Sequence, residues 1–80
     1  MVRPKSAQPP DWVLTRRAAF GVRVRDARMH ANLTQQAVCE LSGLSRWTVQ
    51  EVEAGRSSPT LDTLFLLADA IGVPAADLLG

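Results

Sequence analysis

Eighty residues with nine basic side chains, eight acidic ones and a net charge of +1 make one small domain. One cysteine, Cys39, excludes an internal disulfide, and one Cys with one His, His30, excludes a tetrahedral zinc site. No apolar run approaches the roughly 18 residues of a membrane span, and "MVRPKSAQPP" lacks the apolar stretch of a signal peptide, so a cytoplasmic protein is expected. The charge is uneven. Residues 1–56 carry all nine Lys and Arg against five acids, whereas residues 57–80 carry Asp62, Asp69 and Asp77 with no base. That polarity fits an anionic partner on one side or an ordinary charged surface.

In chain order, residues 1–11 are expected to form a flexible arm and residues 12–80 the folded domain. Helical spacing dominates and no stretch alternates with period two. Asp11 is the expected N-cap of a first helix starting at Trp12 and ending near Asn32, with Val13, Phe20, Val24, Ala27 and Ala31 on one stripe. Arg16 lands on that stripe, so the first turns are expected to run past the body of the domain.

Thr34 caps a second helix, "QQAVCELS", stopped by Gly43, although Ala37 cannot complete a capping box. Ser45 caps a third helix that ends on Gly55 in a left-handed conformation. Thr60 caps a fourth, with Leu61, Leu64, Phe65, Ala68 and Ile71 on its inner face before Gly72. Pro74 starts a short fifth helix carrying Leu78. The prediction is an all-α fold, a compact five-helix domain.

Helices two and three are joined only by Gly43 and Leu44, which forces a steep crossing. The small Cys39 lies four residues before Gly43, and Leu44, Val49 and Val52 point inward: helix-turn-helix spacing. At 100° per residue, Arg46, Trp47, Gln50, Glu51 and Ala54 cluster on the opposite, outer face of the third helix.

Residues 20–79, and above all "LTQQ", "SGLS", "VEAGRSSPTLDTL" and "LADAIGV", resemble the Cro/phage-repressor (XRE) class of helix-turn-helix domains, a lambda-repressor-like fold. The resemblance implies a five-helix domain that binds double-stranded DNA, commonly as a homodimer, with the third helix in the major groove. It implies base contacts at the first, second and sixth positions of that helix: Arg46, Trp47 and Glu51, with Gln50 beside them. It also implies a phosphate contact at Gln35. Thr34, Ser45, Arg56, Ser57 and Ser58 are further backbone-contact candidates, and Arg28 with Glu53 a structural ion pair.

Each reading residue has two roles open to it. Arg46 can fork onto guanine O6 and N7 or bind a phosphate. Trp47 can cover a thymine methyl or pack back on the second helix. Glu51 can accept from cytosine N4 or pair with a neighbour such as Arg46. Cys39 is expected as a buried filler and His30 as exposed. Leu66, with Ala70 and Leu78, is the expected two-fold interface; Leu41 has no assigned role.

The function expected is a small sequence-specific transcriptional regulator, a repressor or autoregulator on a palindromic operator. The alternative is an antitoxin or adaptor module that mainly binds a protein. No catalytic cluster supports an enzyme, and no metal or cofactor is expected.

Overall fold

The computed structural model describes residues 8–80 and contains α1 (Asp11–His30), α2 (Gln35–Ser42), α3 (Arg46–Glu53), α4 (Leu61–Ile71) and α5 (Ala75–Leu79), with no strand among the described residues. Most of the arm expected over residues 1–11, Arg3 and Lys5 included, lies outside those residues. No described helix is long and apolar enough to cross a membrane.

Local chemistry sets most boundaries. Thr34, Ser45 and Thr60 are extended N-caps whose hydroxyls accept from the N–H groups of Ala37 (3.0 Å), Thr48 (3.1 Å) and Thr63 (3.1 Å). Each bond satisfies one orphan donor of a helix start, an effect of about 1 kcal/mol. The first helix departs from this pattern. Asp11 is its first helical residue rather than its cap; Pro10 takes the cap position with no side-chain bond, and the Pro10 carbonyl accepts from Val13 at 2.9 Å. At the other end, Asn32 adopts a left-handed φ of 59° just beyond the helix.

The core gathers Val24, Val38, Cys39, Val49, Val52, Leu64, Leu67, Ala68, Ile71 and Leu78, with Phe20, Ala27, Leu33 and Leu44 packed on its edge. Of the stripe expected on α1, Val24 is fully buried and Phe20 and Ala27 half-buried, while Ala31 is exposed. Gly21 was not part of that stripe, yet it is buried. A Cβ there would collide with the Val52 carbonyl oxygen and sit 2.7 Å from that of Glu53. This glycine lets α1 lie directly on the end of α3.

The face of α4 is a correction. Leu61 and Phe65 were expected inside but are 68% and 56% exposed, whereas Leu67 is fully buried beside Leu64, Ala68 and Ile71. The sequence "LDTLFLLADAI" is apolar on nearly every side, so its period cannot select a face. The packing of α2 and α5 against α4 selects the Leu64–Leu67–Ile71 edge. Leu78 is a second correction. It is 1% exposed, a core residue of this chain, and so is not available to an interface between copies.

Candidate nucleic-acid interface

The turn between α2 and α3 is built by Gly43 at φ 77°, in the left-handed region that suits glycine. Its N–H donates to the Cys39 carbonyl at 2.9 Å, and the Leu44 N–H donates to Ser42 Oγ at 3.1 Å. Cys39 is buried in the core four residues before the turn, where a small side chain suits the packing of α2 on α3. Val49 and Val52 anchor α3 in the core. That anchoring leaves Arg46, Trp47, Gln50 and Ala54 exposed on the other side, with the Glu51 side chain only 19% exposed beside them.

Trp47 is 68% exposed, so it does not fold back on α2. Arg46 lies at the start of α3, where Nη1 donates to Gln36 Oε1 across the turn at 3.4 Å. Gln36 in turn donates to Glu40 at 3.2 Å. Glu51 does not pair with Arg46. One of its oxygens, Oε2, accepts from both Nε (3.0 Å) and Nη2 (2.7 Å) of Arg56. The bond to Glu51 raises the Arg56 pKa above its already high ordinary value.

Behind this face, Arg28 ties α1 to the end of α3. Its Nε donates to Glu53 Oε2 at 2.7 Å, Nη2 to Oε1 at 3.0 Å, and Nη1 to the Leu33 carbonyl at 2.9 Å. The two side chains are only 13% and 6% exposed. Hydrogen bonding to Glu53 raises the Arg28 pKa, against a smaller opposing effect of burial. Gln35 completes the cluster, its Nε2 donating to Glu53 Oε1 at 3.1 Å. The Gln35 side chain is thus partly committed inward, which the sequence did not foretell.

The remaining phosphate-contact candidates divide. Thr34, Ser45 and Ser58 are exposed, the first two next to the N-termini of α2 and α3. Ser57 is corrected: its Oγ is enclosed by protein and has no hydrogen-bond partner among the described residues, so it does not face a ligand. Leu66 is 41% exposed on the outer side of α4, whereas Ala70 is half-buried and packs against the core. Leu41, 61% exposed on α2, has no explanation in the structure. No group of three or more His, Cys, Asp and Glu side chains converges among the described residues.

Two helices crossing at a glycine turn, the first capped by Thr34 and the second buried on one side and polar on the other, define a helix-turn-helix domain. Comparison with known proteins agrees. The chain belongs to the helix-turn-helix family HTH_3, whose sequence model matches residues 24–78. It is 37% identical over 59 residues to the cryptic phage CTXphi transcriptional repressor RstR of Vibrio cholerae, across 74% of this chain and 53% of that protein. It is 39% identical over 56 residues to control protein C.SmaI of Serratia marcescens, across 70% of this chain and 67% of that protein. Among solved structures it resembles the restriction-modification controller protein C.AhdI from Aeromonas hydrophila, with a TM-score of 0.74 and 34% identity, over 76% of this chain and 92% of that one. The chain spans about half the length, or less, of the curated phage-repressor relatives it matches.

Proposed function

We propose that this domain is a sequence-specific DNA-binding regulator of transcription that inserts α3 into the major groove as a homodimer. The observation that carries the reading is the outer face of α3. A core-anchored helix presents Arg46, Trp47 and Gln50 to solvent, beside two capped helix N-termini. The groove of B-DNA is wide enough to admit such a helix, and its base edges offer acceptors to Arg46 and thymine methyls to Trp47. The helix starts at Gln35 and Arg46 supply backbone N–H groups and a positive dipole end suited to phosphates, with Thr34 and Ser45 alongside; Ser58, exposed in the loop before α4, is a further candidate. The second N–H of the Gln35 amide is left for the same purpose. Relatives that are repressors and controller proteins favour a negative or autoregulatory role.

The adaptor alternative rests on Glu51 in the reading face and on the acidic C-terminal third, Asp62, Asp69 and Asp77. The pairing of Glu51 with Arg56 answers the first of these. The test is selection of bound duplexes from a random pool, followed by titration of the winner over a salt series. The expected result is an inverted repeat with half-sites about 34 Å apart, bound with an affinity that falls linearly in log–log against salt. Binding no tighter than to random duplex would overturn the reading.

A further inference from the structure

The first turns of α1 lie ahead of residue 24, where the match to the family begins. With the loop before α4 and the end of α5 they enclose a groove of about 310 Å³. Its walls are apolar: Val13, Phe20, Pro59, Leu61, Leu64 and Leu79. Leu61 and Leu79 are exposed, so the groove opens to solvent. Arg16 and Arg17 also line it, and no acidic residue does. Neither arginine has an ion-pair partner among the described residues. Apolar walls beside uncompensated cations suit an apolar group that carries an anion.

That combination stands at the start of the same helix. Trp12 is 65% exposed and does not line the groove itself. The Arg16 guanidinium lies over its ring, 5.8 Å from the centroid and within cation–π range. Asp11, directly before it, is exposed and has no ion-pair partner among the described residues. An apolar cavity of about 150 Å³ holds a benzene ring, so the groove has room for an indole.

We propose that the groove is a docking site for a second copy of this chain, whose Trp12 fills it and whose Asp11 pairs with Arg16 or Arg17. Trp12 and the groove lie on successive turns of one helix end, so a two-fold axis between them makes both insertions at once. Burial of the two indoles against Leu61 and Leu79 drives the contact. The exposed ion pair fixes its orientation more than its strength. One aromatic and one ion pair each way is a small interface, of the weak class, so copies join through it only at high protein concentration. The contact is separate from the one through Leu66 and is independent of the reading of α3.

The test uses the full chain carrying Trp47→Phe, which leaves Trp12 as the sole tryptophan. Its emission and its quenching by acrylamide are followed over a concentration series, with sedimentation equilibrium on the same samples. The expected result is an association step in which Trp12 emission shifts to the blue and quenching falls. By sedimentation, Trp12→Ala and Leu61→Glu each weaken that step by at least about ten-fold. Both keep the melting curve, since both side chains are exposed in the single copy. A mixture of the two variants regains one half of the contact and associates more tightly than either alone. Asp11→Lys weakens the step less, and its loss shrinks at high salt. An association step that leaves Trp12 open to acrylamide, or that is unchanged in Trp12→Ala, overturns the proposal and moves the contact elsewhere. Shielding of Trp12 that is equal at every dilution makes the occupant part of the same chain, and also overturns it. So does the lack of any association step.

Discussion

Arg28 and Glu53 show how much one pair of side chains can carry. Both are largely withdrawn from water, and Nε, Nη1 and Nη2 of Arg28 and Nε2 of Gln35 each donate to a carboxylate or a carbonyl. Removing one partner strands the other, which in buried pairs costs roughly 3–5 kcal/mol. Arg28→Ala is therefore expected to lower the melting temperature markedly, while DNA affinity measured at equal folded fraction changes little. A variant that melts like the wild type but binds DNA weakly would instead make Arg28 a DNA contact. The sequence showed the two residue types at suggestive positions through a family resemblance. The third member, Gln35, was not legible there, because a glutamine at a helix start is equally suited to solvent, phosphate or carboxylate.

Helix boundaries were legible because they depend on residues adjacent in the chain. Thr34, Ser45 and Thr60 cap, and Gly43, Gly55 and Gly72 take left-handed φ values where the pattern placed them. α1 starts one position before the residue its aspartate suggests: Asp11 suits a cap by its side chain, yet Pro10, which offers no acceptor there, takes that position and Asp11 enters the first turn. Gly21 carries a signal in the sequence, since a glycine inside an otherwise helical segment usually has a packing reason. Its reason is the approach of α1 to the Val52 and Glu53 carbonyls. Gly21→Ala improves helix propensity by about 1 kcal/mol, yet the crowding is expected to outweigh this and destabilise the domain by a net of roughly 2 kcal/mol. Urea denaturation measures the balance. A more stable variant would show that α1 and α3 can separate without cost.

Assembly of two copies depends on which face of α4 is left outside. With Leu67 inward and Leu78 consumed by the core, the outer side keeps Leu66, Phe65 and Leu61 exposed. An isologous contact through Leu66 and Ala70 is the proposed route to a dimer. Leu66→Glu would put two charges at such a contact, and the expected result is a monomer by sedimentation with the melting curve of the domain retained. A dimer of unchanged stability would move the interface elsewhere on the surface.

The five helices, the caps of α2, α3 and α4 and the helix-turn-helix spacing follow from local rules: hydroxyls before helices, glycines after them, apolar residues three and four apart. These need no knowledge of distant contacts, and the outer face of α3 is legible for the same reason, since Val49 and Val52 leave only one side free. Packing decided what local pattern left degenerate. It chose Leu67 over Phe65 on a helix apolar all round, drew Leu78 inside, enclosed the Ser57 hydroxyl, and turned Arg56 toward Glu51. Each of those outcomes depends on a neighbour brought near by the fold or by a turn, and residue type and spacing do not encode which neighbour that is.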